Sequence, residues 1–139
     1  MQIVTRPTKQ NDIKRSWHLI DVKGKVLGRI STDIAKLLMG KSKPYFAKNL
    51  DCGDYVVIIN ARDVKTTGNK NKGKVYTRYS GYPGGIRRET LGELRVRKPE
   101  EVVRHAVSGM IPKNKLHDSM MKRLLIFPGE EHKYASKIK

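Results

Sequence analysis

The sequence has few of the features on which secreted proteins, membrane proteins and metalloenzymes depend. Its 139 residues include a single cysteine, Cys52, so no internal disulfide can form and no CxxC zinc pair exists. No apolar run approaches the roughly 20 residues that a membrane-spanning helix needs. Residues 1–14 lack the apolar stretch of a secretory signal. We therefore expect a cytoplasmic protein with no disulfide, no metal, no other cofactor and no membrane partner.

Acidic residues are also scarce. Only 13 Asp and Glu stand against 30 Lys and Arg, which gives a formal net charge of +17. A small soluble domain needs a net charge of only roughly 2–8 to stay dispersed, and a larger excess repels itself unless a polyanion neutralises it. Nucleic acid is such a polyanion, because Lys and Arg release counterions when they bind phosphates. The composition therefore predicts a nucleic-acid partner.

The hydrophobic pattern predicts a single α/β domain over residues 1–139. Residues 17–22 and the β-branched run 54–60 read as strands, and residues 27–38 between them have helical spacing with Gly40 as a stop. A strand, a helix and a strand in this order indicate a parallel βαβ unit. We expect a small, mostly parallel sheet between helices in three α/β/α layers.

The rest of the chain divides into further predicted segments. Pro99 opens a helix that ends at Pro112, residues 115–121 form a short helix, and residues 123–127 are either a strand or a helix extension. Residues 1–15 are predicted to be a loose arm, and residues 129–139 a basic tail.

Residues 65–98 have a different character from the rest of the sequence. They hold ten Lys and Arg against two acidic residues, with many Gly and Tyr. The segment is predicted to be an extended basic loop that contains one short strand, although residues 91–96 are ambiguous. Because it is too long for a plain connector in a small domain, we expect it to be functional.

Motifs for enzyme chemistry fail on inspection. Gly40, Lys41 and Ser42 resemble the end of a P-loop, but the first glycine of that motif would fall at Ala35, and the segment follows a helix instead of a strand. Residues 24–29 lie between a strand and a helix, where Lys25 or Arg29 either contacts a phosphate or is solvated beside a tight turn. The histidines show no metal-binding spacing, so no catalytic residue is predicted.

The basic segment carries the strongest functional signal. Its lysines can follow a phosphate backbone, its arginines can bind phosphates in bidentate fashion, and Tyr76, Tyr79 and Tyr82 either stack on bases or pack on the core. The candidate RNA-binding residues over the whole chain are Lys25, Arg29, Lys41, Lys43, Lys70, Lys72, Lys74, Arg78, Tyr82, Arg87, Arg88, Lys113, Lys115, Lys122 and Arg123.

Several stretches resemble a known family in family order over nearly the whole chain. They are WHLIDVKGKVLGRIS (17–31), GKSKP (40–44), GDYVVIINA (53–61), SGYPGG (80–85), AVSGMIPKNKL (106–116) and RLLIFPGEEH (123–132). The chain resembles the bacterial-type large-subunit ribosomal protein L-thirteen (uL-thirteen) family, and SGYPGG and GMIPKN are the specific motifs.

The resemblance implies a non-enzymatic constituent of the large ribosomal subunit. Such a protein binds large-subunit ribosomal RNA, joins early in assembly and lies beside neighbouring ribosomal proteins. An organelle-encoded ribosome is the alternative to a bacterial cytoplasmic one. Two other functions stay open: a free regulator that binds messenger RNA, and a small nucleotide-dependent or RNA-modifying enzyme built on the βαβ unit.

Overall fold

The computed structural model describes residues 6–138, so residues 1–5 of the predicted arm and Lys139 of the predicted tail lie outside the described residues. The helices are α1 (Leu27–Met39), α2 (Lys70–Gly73), α3 (Leu91–Arg97), α4 (Pro99–Met110) and α5 (His117–Lys122). The strands are β1 (Trp17–Asp21), β2 (Tyr55–Ile59), β3 (Val75–Tyr79), β4 (Ile86–Thr90) and β5 (Leu124–Ile126). No described helix is long and apolar enough to cross a membrane.

The central sheet has three parallel strands in the order β1-β2-β5. Trp17 pairs with Tyr55 at one end of β1, and Val56 pairs with Leu124 across the β2–β5 ladder. The connections from β1 to β2 and from β2 to β5 cross in the same direction along the sheet. Because such crossovers are right-handed, α1 and α4 lie on the same face of the sheet, where they pack against each other. The predicted α/β class, with a mostly parallel sheet flanked by helices, is confirmed.

Helix α1 buries an apolar stripe that includes Ile34 and Leu38, both fully buried. It ends at Gly40, which has a φ of 79° and donates its N–H to the carbonyls of Leu37 and Lys36. A Cβ at Gly40 would lie 2.5 Å from the carbonyl oxygen of Cys52, so both the left-handed backbone and the close approach require glycine.

The other face of the sheet is covered in part by the C-terminal segment. The Trp17 and Tyr55 rings stack with centroids 4.3 Å apart, and Tyr134 from the predicted tail stacks on Trp17 at 5.4 Å. The Lys137 ammonium lies 5.1 Å from the Trp17 ring centroid, within the range of a cation–π contact. Leu19 on the same face keeps 43% of its surface exposed. The tail from Tyr134 to Lys137 therefore packs on the fold as part of the layer opposite α1 and α4.

Residues 65–98 differ from the extended loop that the sequence predicts. They form the short helix α2, an antiparallel hairpin of β3 and β4, and helix α3. The ambiguous stretch 91–96 is helical because Thr90 and Glu93 form a capping box, in which each side chain accepts from the other residue's backbone N–H. Leu91 and Leu94 of α3 are buried against α4 and anchor the hairpin to the core.

The described part of the predicted arm is attached to the domain. The Thr8 hydroxyl donates to the Tyr45 carbonyl at 2.8 Å, and the Arg15 guanidinium donates to the Gly53 carbonyl at 2.6 Å. From Thr8 to Arg15 the arm therefore has fixed partners, in contrast to the loose segment that its polar composition predicts.

Candidate nucleic-acid interface

Two loops meet at the carboxyl ends of β1 and β2. The Leu27 N–H donates to the Lys65 carbonyl and the Lys65 N–H donates to the Lys25 carbonyl, both at 2.8 Å. The N-terminus of α1 begins at this junction, and no side chain among residues 6–138 caps it. The Leu27 amide is used by the contact with Lys65, so the following amides of the first turn and the helix dipole present positive potential beside the exposed Lys25 and Arg29 side chains.

A cleft of about 370 Å³ opens next to this helix start. Gly28 and Thr66 line one part of it, and Lys70 and Lys74 line another. Both lysines are exposed because α2 is a single polar turn with no buried residue. The positive charges of these lysines and the positive end of the α1 dipole therefore face the same cleft.

A second cleft of about 400 Å³ lies between the hairpin and helices α3 and α4. Arg78 and Arg87 face each other directly across the β3–β4 ladder. Like charges in that position destabilise a hairpin unless an anion lies between them. Within residues 6–138, Arg78, Arg87 and the adjacent Arg88 form no salt bridge. The cleft therefore offers at least two guanidinium groups to an external anion.

The acidic residue of this second cleft is already neutralised. Glu89 receives two hydrogen bonds from Arg97, at 2.8 Å from Nε and 2.6 Å from Nη2. This bidentate contact lowers the pKa of Glu89 and raises the pKa of Arg97. Among the described residues that line the cleft, Glu89 is the single acid, so the remaining charge is positive.

The two clefts adjoin at His105 on α4, whose side chain lines both. Its ring stacks on Tyr76 at a centroid distance of 5.0 Å, and the Lys74 ammonium lies 5.6 Å from the Tyr76 ring. We refer to the two clefts together as the basic groove. The cationic residues that line it are Lys70, Lys74, Arg78, Arg87, Arg88 and Arg97, of which Arg97 is paired with Glu89.

A different cleft, of about 790 Å³, lies at the amino ends of the strands. It is lined by residues of the arm, the 49–51 connector and α5, among them Arg15, Lys122 and Arg123. We call it the amino-end cleft. Strand β1 has five residues at about 3.3 Å each, so it separates the amino and carboxyl ends of the sheet by about 17 Å. The amino-end cleft and the start of α1 therefore lie at opposite ends of the sheet.

Arg123, a predicted RNA contact, is engaged inside the protein. Its side chain is 7% exposed and forms a bidentate pair with Asp51, with Nη2 at 2.5 Å from Oδ1. The same Nη2 donates to the Leu38 carbonyl at 3.0 Å. The guanidinium therefore joins the end of α1 to the connector and to β5, which is a structural use of its charge.

Lys43, also a predicted RNA contact, is held in a similar internal network. Its ammonium lies 2.5 Å from Asp54 Oδ1 and 2.9 Å from the Cys52 carbonyl. Asp54 is 4% exposed, and its carboxylate also accepts from the Ser16 N–H and contacts His18. Burial raises the pKa of Asp54, but the bonds from Lys43, Ser16 and His18 outweigh it and leave that pKa below its usual value.

The remaining predicted contacts have exposed side chains, at which binding of RNA stays a prediction. In the basic groove or beside it lie Lys25, Arg29, Lys70, Lys72, Lys74, Arg78, Arg87 and Arg88; at the hairpin tip lies Tyr82; elsewhere lie Lys41, Lys113, Lys115 and Lys122. The structure thus brings together the predicted RNA contacts from residues 25–29 and 70–88, whereas the other predicted contacts lie apart from them.

Sequence reasoning missed one residue of the groove, His105, and one residue beside it, Lys65. His105 is absent from the predicted contacts, yet its exposed ring lies where the two clefts meet. Lys65 has an exposed side chain and was left out of the predicted contacts, although its backbone fastens the α1 start. The spacing of His105 from the buried Val102 and Val103 could have indicated the outer face of α4.

The side chains of Ser108, His117 and Asp118 are arranged in the order of a Ser–His–Asp catalytic triad. Ser108 Oγ lies 3.2 Å from His117 Nε2, and His117 Nδ1 lies 3.5 Å from Asp118 Oδ1. Nε2 also lies 3.3 Å from the Ser108 carbonyl, and the Asp118 side chain is 93% exposed. A carboxylate so exposed does not fix the tautomer of the imidazole as a catalytic triad requires. Residues 6–138 also contain no cluster of three or more metal-ligating side chains.

Comparison with known proteins gives a consistent result. Residues 15–133 match the family described as Ribosomal protein L13. A Dehalococcoides mccartyi protein named Large ribosomal subunit protein uL13 is 55% identical over 132 residues, which cover 95% of this chain and 92% of the relative. A protein of the same name from a Nitratiruptor species is 49% identical over 135 residues, covering 97% and 96%. The family resemblance predicted from the sequence motifs is confirmed.

Proposed function

Because the chain belongs to the ribosomal protein L13 family, we propose that it is a structural constituent of the large ribosomal subunit that binds large-subunit ribosomal RNA. The observation that carries the RNA-binding part is the basic groove, where Arg78 and Arg87 face each other and the one acid of the cleft, Glu89, is already paired with Arg97. Phosphates of RNA would relieve this repulsion and release counterions.

The mechanism is charge neutralisation on a rigid frame. Contacts from lysine and arginine to phosphate and sugar fix the position of RNA without reading its sequence. Recognition of RNA shape and of 2′-hydroxyl groups supplies the specificity. The central sheet is buried against α1 and α4, so it keeps the groove and the amino-end cleft at a fixed separation. A second phosphate contact at the exposed Lys122 of the amino-end cleft would hold another RNA segment, which supports a role in subunit assembly.

The salt dependence of RNA binding tests this proposal. We expect log Kd of the purified protein for large-subunit RNA to vary steeply and linearly with log salt concentration. The double variant Arg78→Gln/Arg87→Gln should reduce the slope by about 1.4–1.8, since each lost phosphate contact removes roughly 0.7–0.9.

The matched control is Lys36→Gln/Lys133→Gln, which removes the same charge from exposed positions outside the groove. It should leave the slope nearly unchanged. A salt-independent affinity, or equal slopes for both double variants, would contradict binding through the groove.

Sedimentation distinguishes the ribosomal role from the other two functions. After the subunits are split, a structural constituent sediments with the large subunit in a sucrose gradient of cell lysate. A free regulator of messenger RNA or a small enzyme would remain at the top of the gradient, and that result would overturn the proposed function.

A further inference from the structure

Among residues 6–138, one face of the hairpin of β3 and β4 has exposed side chains and no packing partner. Residues alternate along each strand, so Tyr76 and Arg78 face the groove while Tyr79 and Ile86 face outward. Tyr79 is 64% exposed, Ile86 is 55% exposed, and Tyr82 in the connecting turn is 75% exposed. Large apolar side chains this exposed and this close in sequence indicate a binding surface. We call Tyr79, Tyr82 and Ile86 the tip platform.

The backbone of the turn is well defined. The Gly85 N–H donates to the Tyr82 carbonyl at 3.0 Å, and the Ser80 N–H donates to the Gly85 carbonyl at 3.2 Å. Tyr79 and Ile86 are direct cross-strand partners, so their Cβ atoms lie about 5 Å apart next to this turn. Because tyrosine has few rotatable bonds, little conformational entropy is lost when such a surface becomes ordered.

The charges around the tip platform specify its occupant. Arg88 follows Ile86 by two residues on the same face, and Arg78 and Arg87 lie on the opposite face of the same hairpin. A purely apolar partner on the tip platform would leave the Arg88 guanidinium desolvated beside it, whereas a nucleotide combines an apolar base face with a phosphate. Arginine planes and tyrosine rings are the side chains on which splayed RNA bases stack.

We propose that the tip platform stacks against unpaired RNA bases, while the arginines of the hairpin bind the phosphates of the same segment. The proposal rests on the proposed RNA-binding function and adds that this part of the RNA is single-stranded. Bases inside a duplex are stacked on each other and do not present a face to a protein surface. Tyr76 takes no part in it, because its ring already packs against His105.

Binding of two fluorescently labelled RNA probes tests the proposal. One probe is single-stranded oligoadenylate, and the other is a blunt RNA duplex with the same number of phosphates. The full-length variant Tyr79→Ala/Tyr82→Ala should lose about 5- to 140-fold in affinity for the single strand, the effect of one stacked base, with its salt slope unchanged. Its affinity for the duplex should stay within about two-fold.

The matched control is Tyr79→Phe/Tyr82→Phe, which keeps the rings and removes the hydroxyl groups. It should bind the single strand nearly as well as the unmodified protein. Because Tyr79 and Tyr82 are exposed, both variants should fold, as circular dichroism can verify.

Three outcomes would overturn the inference. They are an equal loss for both probes, no loss for the alanine variant, or a loss with phenylalanine as large as with alanine. Any of these, combined with the expected slope change for Arg78→Gln/Arg87→Gln, refutes the platform but leaves the proposed function intact. If the unmodified protein binds ribosomal RNA without salt dependence, the proposed function itself fails.

Discussion

Replacement of Arg123 by methionine separates a structural arginine from an RNA-binding one. The change removes a guanidinium that is 7% exposed, its bidentate pair with Asp51 and its hydrogen bond to the Leu38 carbonyl. Removal of one partner of a buried ion pair costs about 3–5 kcal/mol. Asp51 is 15% exposed and keeps Arg15 at 3.6 Å, so its charge is only partly uncompensated. We therefore expect the lower end of that range, about 3 kcal/mol.

Thermal and urea unfolding, followed by circular dichroism and by the fluorescence of Trp17, measure this loss. For a chain of this length, about 3 kcal/mol corresponds to a decrease in Tm of about 10 °C. The neighbouring Lys122→Met is the matched control, because Lys122 is exposed and forms no salt bridge within the described chain. It should leave Tm within about 1–2 °C, since surface substitutions usually change stability by no more than about 0.5 kcal/mol.

RNA binding supplies the second readout for the same pair of variants. Folded Arg123→Met should keep the salt slope of the unmodified protein, whereas Lys122→Met should lower it by roughly 0.7–0.9 if Lys122 contacts a phosphate. The reasoning is refuted if Arg123→Met keeps its Tm and lowers the slope. The double variant Asp51→Leu/Arg123→Met should recover part of the lost stability, because an apolar pair leaves no unpaired buried charge.

Two further predictions concern Asp54 and Gly40, which stabilise the α/β core that supports the groove. The native pKa of Asp54 lies below its ordinary value of 3.8, so its contribution to stability is complete above that pH and is lost as pH falls through the native pKa. The stability advantage of the unmodified protein over Asp54→Asn, measured by urea unfolding, should thus be constant near neutrality and shrink below about pH 4; an advantage that grows on acidification would contradict this sign. Gly40→Ala should destabilise the protein by at least about 1–2 kcal/mol, the cost of a left-handed alanine, because its Cβ also meets the Cys52 carbonyl. The control is Gly109→Ala, at a helical position where no heavy atom lies within 4 Å of the new Cβ. It should be neutral or stabilising by up to about 1 kcal/mol in a thermal unfolding assay. Equal effects at both glycines would exclude the steric explanation for Gly40.

The sequence predicts the central α/β unit well because its signals are local. The β-branched run at 54–60 corresponds to Tyr55–Ile59, and the helical spacing after residue 27 corresponds to Leu27–Met39 with its glycine stop. The proline at position 99 begins Pro99–Met110, as its fixed φ and the two following glutamates favour. In each of these elements, burial pattern and end signals agree.

The hairpin and the internal Arg123 were harder to predict than the central unit, because both depend on partners outside their own local sequence. Strand Ile86–Thr90 is polar and largely exposed, so its sequence lacks the alternation that identifies a half-buried strand. Its pairing with Val75–Tyr79 supplies the missing stabilisation. Arg123 finds its acidic partner 72 residues away at Asp51, and no local pattern reveals such a contact. The capping box at Thr90 was a readable signal that would have resolved the helix after it.

The position of β5 has a consequence for how a newly made chain matures. Leu124–Ile126 completes the sheet, and the Tyr134 ring then closes over Trp17 from the opposite end of the chain. During synthesis the edge of strand Tyr55–Ile59 that pairs with Leu124–Ile126 stays unpaired until those residues have emerged. The nascent molecule is therefore a highly cationic, incompletely folded chain, and prompt capture by a polyanion would shield it from aggregation while its last strand arrives.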